Sequence, residues 1–450
     1  MKPNIIFITC HDLGNYLGCY GTPVPTPNID RLAEDGILFK NHFSAGAICS
    51  PSRASIVTGC YPHTNGMMGL VHRGWELDTE KCRPLPAILK ENGYKTHLFG
   101  FQHEHWDPFR LGYEIVHDVK SMHCDEVTPA FIEWLEQGSE SSKPFFAALG
   151  FSEVHRMSMN PSHFKHDSYE PSDPKDVEVR PYLPDIPELR SDLADFYGAI
   201  KLVDKMVGKI MDAVHKNDIR RNTLIVFTTD HGASFMHSKA TLYDGGTQTA
   251  LVMSYEGVLP SHKIFDSLTS HVDILPTILD YLGIPIPEYV EGISLKKMLS
   301  ELKDSASGAD KGAHGQRQYV FAEENYNNHF NPSRMVRSHQ YKYIRNGLDI
   351  CIFDFLIPEI ELSTIDFRKN RAVFDFYSTD RCSEELYDLE KDPGEMNNVA
   401  KSQEYTSILE ELRNTLNKHM EETKDPFRNF RNEIKMPEKA YTLLRKSREE

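Results

Sequence analysis

The sequence predicts an α/β fold: a large, mostly parallel sheet sandwiched by helices, with a smaller C-terminal α+β subdomain of antiparallel strands and a helix. Three observations lead there. Short β-branched or aromatic runs alternate with amphipathic stretches over the first three quarters of the chain. The strongest of these runs, residues 4–9, 145–149 and 223–229, are continuously apolar for most of their length, as in strands covered on both faces. Beyond about residue 340 the pattern shortens to alternating strands followed by one helical stretch, so the units expected are 1–338 and 339–450.

Residues 4–9 read as the first strand. Residues 28–36 read as a helix with Asn28 at its start and Gly36 at its end, and 86–92 close in the same way on Gly93. Residues 145–149 form a second strand. A long helix over 191–216 feeds the strand 223–229, residues 249–255 are another strand, and 271–282 are a helix ending at Gly283. The polar stretch 303–316 reads as a surface loop. Strands at 341–345 and 372–377, a helix at 403–420 and a charged tail after Lys435 complete the chain.

Composition narrows the function. With 450 residues, 50 Lys and Arg, 66 Asp and Glu and a net charge of −16, the chain is large and acidic. That excludes a general nucleic-acid binder, which needs clustered cations to neutralise phosphates. An anionic substrate then requires a local positive pocket. No run reaches the roughly 18 apolar residues of a membrane span, and residues 1–9 contain no signal-peptide core, so a cytoplasmic protein off the membrane is expected. Eight cysteines without a CxxC pair describe neither a disulfide scaffold nor a zinc knuckle.

Open α/β sheets bind ligands at the carboxyl ends of their strands. His11-Asp12 follows the first strand and Asp230-His231 follows the strand ending at Thr229. Two such pairs at two strand ends can converge on one divalent cation, although either pair alone reads as a loop carboxylate capping a turn. The run Cys49-Ser50-Pro51-Ser52-Arg53 places a thiol just before a helix start, whose amides and dipole favour negative charge, with Arg53 one turn in. A thiol there is acidified and can act as a nucleophile or ligand; the plainer reading is a small residue packed beneath a helix.

Cys49–Gly59 resembles the motif C-x-P-S-R-x-x-x-x-T-G of the type I, formylglycine-dependent sulfatases of the alkaline phosphatase superfamily. The likeness continues through Pro3–Asp12, Tyr61–Gly66, Thr229–Gly232, Lys239 with Leu242–Gly246, Val272–Thr277 and Glu385–Leu389 with Asp392-Pro393. It implies a sulfuric ester hydrolase in which Cys49 becomes formylglycine through a maturation enzyme. Asp12, Asp230 and His231, with His11 and an oxygen of modified Cys49, would then hold one divalent metal. Arg53 would orient the formylglycine hydrate, His103 would deprotonate it, and His155 with Lys239 would serve the leaving group. Taken without the family, His103 and His155 read as structural histidines, since the chain has 21.

Two departures stand out against that pattern. The family's calcium matches an oxygen-rich site, whereas His11 and His231 shift the expectation toward manganese, magnesium or zinc. The lysine of the family's G-K-x-H is absent, since residues 100–103 read Gly-Phe-Gln-His, which makes His105 a candidate replacement. Residues 50–70, His155-Arg156 and 331–336 are similar to heparan N-sulfatases and their bacterial relatives. They imply a small sulfated carbohydrate, an amino sugar of a glycosaminoglycan, contacted by Arg156 and Arg334; the alternative for each arginine is a surface ion pair. Two other functions remain open from sequence: a phosphonate monoester or phosphodiester hydrolase of the same superfamily, and a non-catalytic glycan-binding protein on the same scaffold.

Overall fold

The computed structural model describes residues 2–138, 143–156, 164, 168–304, 317–327, 330–347 and 382–428. In chain order its strands are β1 (Asn4–Cys10), β2 (Ile37–Phe39), β3 (His42–Phe43), β4 (Lys95–Gly100), β5 (Ile115–His117), β6 (Phe145–Gly150), β7 (Thr223–Thr229), β8 (Gln248–Thr249), β9 (Leu251–Ser254), β10 (Lys263–Phe265), β11 (Thr269–Ser270), β12 (Val320–Tyr326), β13 (Phe330–Arg337), β14 (Tyr341–Asn346) and β15 (Glu384–Asp388). Eight of them form one sheet in the order β10-β2-β9-β7-β1-β6-β4-β5. Strand β1 pairs in parallel with β6 and β7, while β9 runs antiparallel to both of its neighbours.

The apolar runs of β1 and β7 are explained by this central position, because both strands are buried along their whole length. Their side chains alternate between two cores. Ile6, Ile8, Ile225 and Phe227 join one core with the long helix Pro187–Lys216 and the helix Cys124–Glu136. Ile5, Phe7, Leu224 and Val226 join the other, beneath helix α2 (Cys49–Thr58) and the helices Leu85–Glu91 and Ile274–Tyr281. A period of two in the strand therefore separates two helical layers. Helix α1 (Pro27–Glu34) is anchored from across the chain: Asp204 on the long helix accepts from the Asn28 and Ile29 amides at 3.0 and 2.8 Å, satisfying first-turn donors.

The expected strand over 249–255 is two strands. At Ala250 the chain turns its amide to the Gly14 carbonyl, 3.0 Å away. Residues before that point pair with β3 in a three-stranded sheet, and those after it enter the large one. The expected loop at 303–316, apart from residues 303–304, the strand at 372–377 and the tail after Lys435 lie outside the described residues.

The C-terminal sheet is an antiparallel meander in the order β12-β13-β14-β15. It opens at Val320, so two of its strands come from residues that the expected boundary at 338 assigns to the larger unit. Leu409, Leu412, Leu416 and Met420 of the helix Thr406–Glu422 cover one face of this sheet, against Val336, Tyr343 and Leu386. His419 of that helix lies flat on Phe321, with centroids 3.7 Å apart, and edge-on to Tyr61 of the larger unit at 4.7 Å.

Burial, reinforced by His63 and Arg317 against Glu323 and Asp425, pushes His419 down to about 3. Its folded value lies below the unfolded 6.5, so its stabilising neutral form is complete above pH 6.5 and lost as the pH falls below it. We expect His419→Gln to be the less stable protein at pH 7.5. The gap from the parent should close at up to about 1.4 kcal/mol per pH unit below 6.5, read from melting curves between pH 7.5 and 5. A gap that is constant with pH would show that His419 matters only through its packing.

Candidate active site

The two loops after β1 and β7 start at one level, because Cys10 and Thr229 are paired in register. Each strand hands a His/Asp pair to the same edge of the sheet. Asp12 adopts φ 53° and donates its amide to Asp230 Oδ1 at 2.9 Å, and the same oxygen accepts from the His231 amide at 2.8 Å. Gly232 follows because any side chain would collide with the Gly245 carbonyl, 1.7 Å from where a Cβ would stand. That close approach lays the segment bearing Lys239 across the strand ends.

Helix α2 enters from the other side with Cys49 as its first residue, inside the helix rather than just before it. Two side chains bind the helix to Asp230: Arg53 Nε donates to its Oδ2 at 3.0 Å, and the Ser52 hydroxyl donates to its backbone carbonyl. Cys49 Sγ then lies 3.3 Å from His231 Nε2 and 4.0 Å from His11 Nδ1. His231 Nε2 is 3.2 Å from Asp12 Oδ1, His11 Nδ1 is 2.6 Å from the same oxygen, and Lys239 Nζ is 2.7 Å from Asp12 Oδ2. One donor atom from each of His11, Asp12, Cys49, Asp230 and His231 falls within 4.8 Å of all the others, and all five residues are buried. His231 Nδ1 lies 2.9 Å from the Gly232 carbonyl, which accepts only, so Nδ1 carries a proton and Nε2 is the nitrogen that faces the cluster, where a bound metal would displace its proton.

The electrostatics match that layout. Burial pushes His11 and His231 down, yet the two carboxylates and Cys49 outweigh it and raise them to about 10 and about 9. Burial pushes the Cys49 thiol up, but His11, Lys239 and His231 hold it well below its usual range. Asp12 is likewise held well below the ordinary carboxylate range, against burial, by Lys239 and His11. The centre of the cluster therefore favours positive charge, and its carboxylate and imidazole donors are those of a divalent metal site.

His155 closes one side of the cluster. Its Nδ1 lies 2.7 Å from the Arg156 carbonyl and its Nε2 3.3 Å from Lys239 Nζ. Burial and Lys239 push it down to about 4, so it is neutral and takes a hydrogen bond from the ammonium. His103 lies beside Cys49 at the end of a loop whose backbone is fixed by Glu104 and Gln102 side chains. Phe101, in place of the family lysine, covers the Arg53 guanidinium at 4.9 Å.

Three of the expected substrate contacts are otherwise engaged. Arg156 is buried and bidentate on Asp192 at 2.9 and 2.6 Å, donates to the Ser234 carbonyl and lies between Phe164 and Phe235. Arg334 is buried on Asp425 and 3.8 Å from Glu323, tying β13 to the chain beyond the last helix. Both are internal ion pairs, as the plainer reading had it, and both are buried where a surface pair was expected. His105 accepts from the Asp107 amide of its own turn at 2.9 Å and is not one of the residues of the cluster. Sequence reading missed His72, 3.2 Å from His103, and His271, which joins Ser52 and Thr249 beneath α2 at 3.1 Å each. Neither belongs to a motif, and one histidine among 21 carries no signal of its own.

Residues 3–284 match the family model described as Sulfatase, and residues 231–357 match "N-sulphoglucosamine sulphohydrolase, C-terminal". The chain is 28% identical to human N-sulphoglucosamine sulphohydrolase, covering 94% of this chain and 91% of that protein. It is 26% identical to an ulvan-active sulfatase of Formosa agariphila, covering 93% and 74%. Its fold is that of a protein solved with its substrate D-glucosamine-2-N,6-O-disulfate, at a TM-score of 0.71, 21% identity and coverage of 95% and 99%. A motif-bearing cysteine at a helix start, four further donors at two strand ends and a family match over more than half the chain agree: this protein belongs to the sulfatase family.

Proposed function

We propose that this sulfatase removes sulfate from a sulfated amino sugar of the glycosaminoglycan type, with Cys49 converted to formylglycine and one divalent metal held by Asp12, Asp230 and His231 together with His11. The observation that carries the reading is the convergence of Cys49 Sγ and four metal-type ligands, all buried, with Lys239 and the partly exposed His155. The C-terminal family match and the human relative support the substrate class.

Formylglycine, when formed, supplies a hydrated aldehyde whose hydroxyl accepts the sulfuryl group and which sheds sulfate as the carbonyl returns; the metal, when bound, supplies positive charge to the anionic oxygens. The chain's own residues do the rest. Arg53 and Lys239 are buried cations, and charge compensation is strongest away from bulk water. Asp230 fixes Arg53 in place, and Asp12 fixes Lys239. Lys239 holds a proton at Nζ against His155 Nε2, and this pair delivers it to the departing oxygen or nitrogen. His103 takes the proton whose loss lets sulfate leave.

Two expected outcomes test this. Mass spectrometry of the peptide spanning Ile48–Arg53 should show Cys49 with sulfur replaced by oxygen, and the same preparation should desulfate N-sulfoglucosamine or its 6-O-sulfated form faster than 4-nitrophenyl sulfate. Cys49→Ala should lose turnover by about a thousandfold or more. Full activity with an unmodified thiol would refute the formylglycine route, and a faster reaction on a phosphonate monoester would reassign the substrate.

Chelation should abolish turnover and lower the melting temperature. Manganese or zinc should restore both better than calcium, because two imidazoles disfavour an ion that seeks oxygen. Preferential recovery with calcium would remove His11 from the ligand set.

A further inference from the structure

His72 has no place in the family motifs, yet it makes a directed contact with the catalytic machinery. It lies in the turn Val71–Arg73, and the Val71 amide donates to Ser50 Oγ at 3.1 Å, so the residue after Cys49 holds that turn. Leu70 packs with Ile48 and Cys49 in one small apolar cluster. The position of His72 is therefore set by the same helix start that sets Cys49.

The His72 and His103 rings are nearly coplanar, 8° apart, with centroids at 5.4 Å and His72 Nδ1 3.2 Å from His103 Nε2. The centroid separation exceeds the N···N distance by about one imidazole diameter. The rings thus meet edge to edge along a hydrogen bond and do not stack face to face. In a neutral imidazole one nitrogen donates and the other accepts. His103 Nδ1 is buried and meets no partner, so an N–H there would be an orphaned donor, which costs more than an unused lone pair. His103 accordingly keeps its proton on Nε2 and donates it to His72 Nδ1, which leaves its Nδ1 lone pair unused.

We propose that His72 is a positioning residue, which by accepting from His103 Nε2 fixes His103 in the tautomer and orientation that let Nδ1 act as a base. This rests on the role given to His103 above. In that step the hydroxyl proton moves to Nδ1, the O–H pair becomes the new C=O bond, and the C–O bond to sulfate breaks with its electrons leaving on sulfate. His103 becomes an imidazolium whose Nε2–H is already held by a neutral acceptor.

The test compares His72→Phe, which keeps a planar ring without an acceptor, with His72→Asn, whose Oδ1 can stand near the position of Nδ1. The substrate is N-sulfoglucosamine or 4-nitrophenyl sulfate, whichever the parent turns over. His72→Phe should lose about 10- to 100-fold in kcat with KM nearly unchanged, and His72→Asn should recover most of that loss. A second readout needs no turnover: long-range ¹H–¹⁵N correlation of ¹⁵N-histidine protein, assigned with His103→Gln. It should show His103 protonated at Nε2 in the parent and in His72→Asn, and a mixture of tautomers in His72→Phe. Parental kcat in both variants, equal losses in both, or an unchanged His103 tautomer in His72→Phe would overturn the proposal. A parent that desulfates nothing but shows the His72-dependent tautomer would instead overturn the sulfatase role of His103 and leave the hydrogen-bonded pair standing.

Discussion

Two fully buried carboxylates, Asp12 and Asp230, stand at the ends of neighbouring strands with donor oxygens within 4.8 Å of each other, and much of the structure answers to them. Removing two anions from water costs several kcal/mol each unless cations and hydrogen bonds replace the solvent. The fold provides these from remote parts of the chain. Arg53 comes from α2, Lys239 from a loop pressed close by Gly232, and backbone amides from residues 12 and 231. The result is a preorganised basin of charge in which a dianionic oxygen cluster and an acidified thiol coexist.

Much of the framework was legible from the residue pattern because burial on two faces writes itself directly into β1, β6 and β7. The metal-type pairs were legible for the same reason: a register-matched pair of parallel strands ends at one level, so His11-Asp12 and Asp230-His231 had to be neighbours once β1 and β7 were adjacent. What the pattern hid was partner choice. Arg156 and Arg334 have the chemistry of sugar-binding cations, but the acids that neutralise them, Asp192 and Asp425, lie 36 and 91 positions away. His72 was invisible because its meaning comes from a turn tied to Ser50, not from spacing. The split at Ala250 was equally hidden, since both halves have strand composition and only the contact with Gly14 separates them.

The Arg334 network changes the meaning of the C-terminal sheet. Glu323 of β12 accepts from the His63 amide at 2.7 Å, Arg334 reaches Asp425, and His419 bridges Phe321 to Tyr61. His63 belongs to the short helix that follows α2, so this sheet and its helix buttress the segment carrying Cys49. The cation once expected to grip a sugar instead helps hold the wall of the site.

Cys49 is only 4% exposed and is covered by α2, the strand-end loops and the Leu70 turn. That burial fixes an order of events in the life of the chain. Another macromolecule cannot bring its own catalytic groups to a sulfur so nearly enclosed, so an enzyme that converts this side chain would meet residues 49–59 before they fold. The strands that complete the enclosure, β7 through β9, are more than 150 residues further along. On the formylglycine reading, synthesis would leave an interval in which the motif is accessible and the site does not yet exist, and a chain that folded before it was met would keep its thiol.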